Sequence, residues 1–419
     1  MAVLIIGAGI AGLTTALSLH QIGVDCRVFE SVDTIEPLGV GINTLPHAVR
    51  ELTELGLADR LAETAIPTAE LAYYSKHGQP IWSEPRGLAA GYNWPQFSIH
   101  RGELQMILLD AARERLDADR IVTGHHLARW ETTAHGVRAH FVDRRNGAAI
   151  GEAEGALLVG TDGIHSAVRA RLHPDEGPPL WNGAILWRGV TRGKPFLTGR
   201  SMIMAGHEFQ KFVCYPISHE AMERGEAVIN WIAERKFRPD HAWRREDWNR
   251  RGNLQDFLPQ FEAWRFDWLD VPGLIRAAEH CYEYPMVDRN PLERWTLGPV
   301  TLLGDAAHPM YPIGSNGASQ AILDARVLAR EIRAHGPTHE ALLAYEAERR
   351  PATAAIVLAN RKNGPEQVMQ AVEERAPAGF TKIEDVLSAE ELEEAAAGYK
   401  RIAGFDREIL NNRTPIVPT

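Results

Sequence analysis

The chain has 419 residues, 45% of them hydrophobic, and a formal net charge of −10. That length suggests two or three domains, and the apolar content suffices for a sizeable core with no sign of disorder. The acidic balance, with no basic cluster longer than a few residues, argues against nucleic acid or an anionic membrane as main partner. It leaves room for an anionic small molecule held by one or two local arginines. Cys26, Cys214 and Cys281 form no C-x-x-C pair. They read as buried small hydrophobes, with no disulfide framework and no zinc site. The apolar N-terminus lacks a charged leader and is broken by glycines, and no stretch reaches the ~18 apolar residues of a membrane span. A cytoplasmic location is the expectation.

Val3 to Ile6 reads as a short buried strand, Gly7 to Gly12 as a turn, and the following residues to about His20 as a helix. Val24 to Phe29 is the second strand, closed by Glu30, which makes the beginning of a βαβ unit. The loop "EPLGVGINTLP" leads into a helix near Pro46–Leu55, and another helix opens near His100, with Leu104, Ile107, Leu108 and Ala111 at helical spacing. From 181 to about 285 the runs "GAILWRGV", "SMIMAG", "KFVCYPI" and "AVINWIAE" predict antiparallel strands, with "SHEAMERGEA" as a loop between two of them. After 336 the chain reads as mainly helical, and "SAEELEEAAAGYKRIAGF" as a packing or subunit-contact helix. The expected fold is therefore α/β: a Rossmann-like nucleotide-binding domain with an inserted antiparallel sheet and a helical C-terminal region. Its expected boundaries are 1–72, 97–180 and 285–360 for the nucleotide-binding pieces, 73–96 and 181–284 for the inserted sheet, and 361–419 for the helical tail.

Gly7-x-Gly9-x-x-Gly12 lies between a strand and a helix, the arrangement that brings a pyrophosphate to helix amides. Gly7 permits the turn, Gly9 the approach of the phosphates and Gly12 the helix–strand packing, while Glu30 accepts from ribose hydroxyls. This loop fits FAD and NAD alike. A second strand, in "LLVGTDGIHSAVR", ends in Asp162-Gly163, and Asp162 is expected to pair with Arg169 to brace the turn. In "LLGDAAHPMYPIGSNGASQAILDA", Asp305 ends a third strand, where it can accept from a sugar-alcohol hydroxyl. The turn from Gly314 to Gly317 then aims helix amides at a negative charge. A reduced flavin is anionic around its N1 and C2 carbonyl; nicotinamide would gain nothing comparable.

These three motifs in this order resemble the single-component flavin-dependent aromatic hydroxylases, the group A monooxygenases of the p-hydroxybenzoate hydroxylase fold, over roughly residues 1–360. The strings "PLGVGIN", "WSEPRG", "SIHRGELQMILL", "DGIHSAVR", "WRGVT" and "YPMVDR" are similar to the flavin monooxygenases of phenazine biosynthesis. The resemblance implies noncovalent FAD, NADH or NADPH as a transient co-substrate and O₂ as the oxidant. It further implies hydroxylation of an aromatic or heteroaromatic ring through a flavin C4a-hydroperoxide, without a catalytic triad or essential nucleophile. Carried over by position, it assigns Gly7, Gly9, Gly12, Glu30, Val40, Gly41, Arg101, Asp162, Asp305, Asn316 and Gly317 to the cofactor. Pro312 and Gly314 become the loop beneath the reacting edge.

On the inserted sheet, Trp187, Met204 and Tyr215 are the candidates for an aromatic substrate pocket, with core packing the alternative for each, and Arg188, Arg192 and Arg289 are candidates for a substrate carboxylate but read first as surface cations. Gln105 lies one turn beyond Arg101. His165 and His308 are expected to satisfy loop backbone groups, and His47, His100 and the pair at 125–126 lack metal-ligand spacing, so no metal is expected. A small aromatic substrate and a monomer or homodimer complete the picture. A halogenase is disfavoured because no W-x-W-x-I-P signature is present. A flavin dehydrogenase or oxidase, a non-catalytic redox sensor, or a hydroxylase of pyridines, quinolones or phenols stay open at this level.

Overall fold

The computed structural model describes residues 1–238, 241, 250–362 and 366–418. Five parallel strands form the first sheet, in the order Val300–Leu302, Leu157–Gly160, Val3–Ile6, Cys26–Phe29, Ile121–Val122. Val3 to Ile6 and Leu157 to Gly160 are buried throughout. Such continuous burial is what a sheet covered on both faces requires. Helices Ile10–Gln21, Arg101–Arg115 and Gly317–His335 pack along it. The second strand begins at Cys26, two residues later than expected, because Gly23 turns at φ 72° and the Val24 amide still bonds Leu19 O at the helix end. A three-stranded antiparallel sheet, His126–Thr133, Gly136–Val142 and Ala149–Gly155, joins the same core, with Phe141 stacked on Phe29 at 4.4 Å.

A seven-stranded sheet stands beside this unit, in the order Cys281–Asp288, Leu180–Gly193, Ala227–Lys236, Gln210–Pro216, Ser201–His207, Glu70–Tyr74, Pro80–Pro85. Neighbours are antiparallel except for Ser201–His207 against Glu70–Tyr74, which is parallel. Its strands thus start at Glu70 and end at Asp288, a few residues outside the expected limits of 73 and 284. Alternation sorts its side chains. Ile185, Trp187, Ile203, Cys214 and Trp231 pack against Phe257, Phe261 and Trp264 on one face. Leu71, Tyr73, Leu186, Met202, Met204 and Tyr215 share the other face with Tyr311 and Ile313. The segment "SHEAMERGEA" holds a short helix, His219–Glu223, because the Ser218 side chain caps it by accepting from the Ala221 amide.

Four helices, His339–Asn360, Gln367–Arg375, Ala389–Ile402 and Arg407–Asn412, build the C-terminal region. The tail wraps back onto the first unit. Arg50 donates to Leu410 O at 3.2 Å and Arg413 O at 2.6 Å, and Tyr92 Oη donates to Phe405 O at 2.7 Å. All three cysteines are buried and unbridged. Among the described residues no helix is long and apolar enough to cross a membrane.

Candidate cofactor and substrate site

The acid- and glycine-bearing corners lie side by side at the carboxyl ends of neighbouring parallel strands. Across the first sheet they follow as Gly304-Asp305, Asp162-Gly163, Gly7 to Gly12, and Glu30. The chain crosses over between them, which is where open α/β sheets leave a crevice for a ligand. The glycines divide by role. A Cβ on Gly12 would meet Gly7 O at 1.9 Å, so Gly12 serves helix–strand packing, whereas a Cβ on Gly9 would have no neighbour within 4 Å. Gly9 is also the N-cap of the first helix, with no side chain accepting from its first turn and no acid within it. Glu30 accepts from the Ala8 amide at 2.8 Å and the Val32 amide at 3.0 Å, which fixes its carboxylate at the rim of the loop. Gln105 donates to Ala8 O at 2.9 Å and braces the loop from the neighbouring helix.

The expected Asp162–Arg169 pair does not form. Asp162 caps its own helix, accepting from Ser166 Oγ at 2.5 Å and the Ala167 amide at 2.7 Å. Arg169 is buried and reaches the third motif: it donates to Ala306 O at 2.9 Å and Ala307 O at 2.8 Å, with Glu176 on its Nε at 2.7 Å. Arg289 bonds the same Glu176 and Ile164 O, and so belongs to this brace and not to a substrate pocket. Arg192 is exposed.

Asp305 and Arg101 behave alike. Solvent reaches both, yet both are enclosed enough for desolvation to dominate, raising the Asp305 carboxyl and lowering the Arg101 guanidinium from their ordinary values. That combination describes cleft walls. No hydrogen bond to Asp305 is made by any described residue, and its Oδ1 lies 3.9 Å from where a Gly317 Cβ would sit. The helix starting at Gly317 has no side-chain cap and no acid in its first turn. Gly314 turns at φ 69° and Ser315 at φ 57°, and Asn316 donates to Gly314 O at 3.1 Å. Behind this corner His308 pairs with Asp324 at 2.5 Å, Asp324 accepts from the Gly304 amide, and Arg349 holds its other oxygen at 2.7 Å. His308 therefore supports the turn through a carboxylate, where a bond to loop backbone was expected. His165 is exposed.

The segment from Gly39 to Gly41 is held from two sides. His100 Nε2 lies 3.0 Å from Gly39 O, and the Arg101 amide donates to Val40 O at 2.8 Å. From the large sheet, Asn230 Oδ1 accepts from the Gly41 amide at 2.7 Å, and Tyr215 Oη and Arg188 donate to Gly41 O at 2.9 and 2.8 Å. Arg188 is thus half-buried, with one N–H committed to Gly41 O and its Nε left without a partner among the described residues. Trp187 is corrected as well: it stacks on Phe257 at 4.7 Å on the far face of the sheet, one residue out of step with Leu186 and Arg188.

Met204 does line a cavity, together with Leu71, Tyr73, Met202, Gly314, Ser315 and Phe405. Its polar wall consists of Glu84, Arg86, Gln96 and Lys400. Sequence reasoning passed over these four and Asn230. The string "WSEPRG" contains two of them, but its charges gain meaning only when Lys400 arrives from the other end of the chain. Phe405, at the cavity edge, stacks on buried His47 at 5.4 Å, so the C-terminal region forms part of the wall.

Comparison with known proteins agrees with this geometry. A family model described as "FAD binding domain" matches residues 1–238 and 282–360. The phenazine 1,6-dicarboxylic acid hydroxylase PhzS of Lysobacter antibioticus is 51% identical over 86% of this chain and 89% of its own. The 3-amino-4-hydroxybenzoate 2-monooxygenase of Streptomyces cremeus is 32% identical over 84% of each. Klebsiella pneumoniae HpxO, solved with FAD and uric acid, superposes with a TM-score of 0.71 at 25% identity, covering 98% of this chain and 95% of that one. The glycine loop open at Gly9, Asp305 without a hydrogen bond among the described residues and the uncapped helix at Gly317 suit a dinucleotide with a flavin head, and the chain belongs to the FAD-dependent aromatic hydroxylases.

Proposed function

We propose that the protein is an NAD(P)H-consuming monooxygenase that hydroxylates a flat, fused-ring heteroaromatic of the phenazine type. When bound, FAD would supply the chemistry, with NADH or NADPH as hydride source, one atom of O₂ going to the ring and the other leaving as water. The protein's part is to hold, orient and exclude water. Gly9, Glu30 and Arg101 grip the dinucleotide, Asp305 accepts from the sugar-alcohol chain, and Asp162 and Arg169 keep the two acid-bearing corners in register. The first amides of the Gly317 helix favour negative charge on the flavin head. Val40 and Gly41, fixed by Asn230, Tyr215 and Arg188, would hold the flavin head from one side, and Pro312 and Gly314 would supply the loop at its reacting edge.

The observation that carries the substrate class is the chamber built on the near face of the large sheet. Leu71 pairs with Met202 and Tyr73 with Met204 in register, giving an apolar floor that continues to the Gly314 turn. The lining residues of the large sheet come from three neighbouring strands, those of Met204, Tyr73 and Glu84, a span of about 10 Å at the usual sheet spacing. That length suits a fused ring system. The test is oxidation of NADH and NADPH in the presence of phenazines, quinolones, pyridines and phenols, with heavy-oxygen incorporation read by mass. Substrate-stimulated oxidation and one heavy oxygen in a phenazine product support the reading. Oxidation without incorporation points to a dehydrogenase or oxidase, and no stimulation by any ring points to a redox sensor.

A further inference from the structure

Two buried polar atoms in the chamber wall lack a partner among the described residues. They are Arg86 Nε and Gln96 Oε1, on side chains whose residues are 8% and 2% exposed. Arg86 is already engaged at one end: its Nη2 lies 2.6 Å from Glu84 Oε1. The second oxygen of Glu84 bonds Lys400 Nζ at 2.5 Å. One carboxylate is thus shared by two cations, so the cluster carries a surplus positive charge inside a largely apolar chamber. A buried guanidinium with an unused N–H is costly without a partner. A structural salt bridge between the sheet edge and the C-terminal helix would need only Glu84 and Lys400, since that pair alone ties the two elements together.

We propose that Arg86, with Lys400 beside it, is the handle for an acidic substituent on the aromatic substrate, so that the chamber selects ring carboxylates over neutral rings. This rests on the proposed hydroxylase reading and deepens it. The carboxylate would accept from Arg86, matching the surplus charge, while Gln96 Oε1 accepts from a hydroxyl or ring N–H. With Leu71, Tyr73, Met202 and Met204 beneath the ring, fixing the acid at this wall also fixes which ring carbon meets the Gly314 turn.

The test uses the FAD-loaded full chain and follows binding by the change in flavin absorbance. Phenazine-1-carboxylate and phenazine-1-carboxamide have nearly the same shape and differ in charge. The native protein is expected to prefer the acid at least tenfold. Arg86→Gln is expected to remove most of that preference and to leave the amide's dissociation constant within about twofold, and Lys400→Gln to remove part of it. Equal binding of acid and amide by the native protein overturns the handle, as does an equal loss for both ligands in Arg86→Gln. Should Arg86→Gln fail to fold, the native acid-to-amide ratio and Lys400→Gln still decide. Benzoate and benzamide repeat the comparison, so that failure of every phenazine to bind sinks the substrate reading, while the acid-to-amide ratio judges the handle by itself.

Discussion

Exchange of Gly9 and of Gly12 for alanine separates cofactor binding from folding within one six-residue loop. In Gly12→Ala the new Cβ would sit 1.9 Å from Gly7 O and 2.8 Å from Thr161 Oγ1. The Thr161 hydroxyl itself donates to Ile6 O at 2.7 Å and Gly7 O at 3.0 Å, so the clash pushes on a carbonyl that a buried side chain holds in place. Overpacking of this kind costs about 1–3 kcal/mol. Weakening the Thr161 bonds adds about 1 kcal/mol, and the better helix propensity of alanine returns about 1 kcal/mol. The net is about 2 kcal/mol, or about 2–3 °C in the melting temperature of a 419-residue apoprotein that unfolds as a unit. Gly9→Ala is different. Its φ is −74°, and its Cβ would meet nothing within 4 Å, so the apoprotein should lose no more than about 1 kcal/mol, the usual cost of alanine at an N-cap. A methyl in that space keeps the pyrophosphate from the backbone. Loss of one charge-assisted bond, about 1.5–3 kcal/mol, weakens FAD binding by at least about tenfold. Thermal melts of the apoproteins and titration of flavin fluorescence measure both quantities. The reasoning is refuted if Gly9→Ala melts as early as Gly12→Ala, or binds FAD as the native protein does.

Asp305→Asn should leave the apoprotein at neutral pH as stable as the native form or more so, because a desolvated carboxylate without a hydrogen bond is removed; FAD retention through gel filtration should fall at least about tenfold. Asn230→Ala leaves the Gly41 amide without its acceptor and should cost about 1–3 kcal/mol in urea unfolding, with Tyr215 and Arg188 still holding the carbonyl. His47 gives a pH prediction. Burial first, then Arg413 and Arg349, lower its pKa from 6.5 to about 3. Below pH 6.5 the unfolded chain therefore binds a proton that the folded chain refuses, and stability falls as pH drops towards 3. By roughly pH 5 the loss is about 2 kcal/mol, at about 1.4 kcal/mol per unit. Between neutral pH and roughly pH 5, urea unfolding should show the native protein losing about 2 kcal/mol relative to His47→Gln, a comparison that cancels the opposite contribution of buried Glu51, whose carboxyl is raised to about 7.

The nucleotide-binding corners were legible because each is local. A strand end, an acid and a glycine fall within a few residues, and the parallel strands then bring Asp305, Asp162, Gly9 and Glu30 to one edge. What joins the corners was not legible. Arg169 passes over Asp162, seven residues before it, to hold the carbonyls of Ala306 and Ala307, which lie 137 and 138 residues away. The substrate side was harder for a further reason. A strand's period of two makes every face assignment depend on register, so Trp187 was read towards the chamber when Leu186 and Arg188 face it. Arg188 was read as a surface cation because nothing in its own neighbourhood announces that Gly41, 147 residues earlier, supplies its acceptor. The three-stranded sheet from 126 to 155 was overlooked, its strands being half-exposed and broken by charged residues.

Lys400 and Phe405 stand outside the stretches matched by the family model, which end at residue 360. The wall that chooses the molecule to be oxidised is accordingly assembled from two sources, the matched stretches, which supply Arg86 and Met204 among others, and the tail beyond them. Kinship scored over the common module is blind only to the share of that wall the tail contributes. Two cousins alike up to residue 360 could still differ in the metabolite they admit through the 59 residues that follow, and exchanging those endings would reveal how much of the choice they hold.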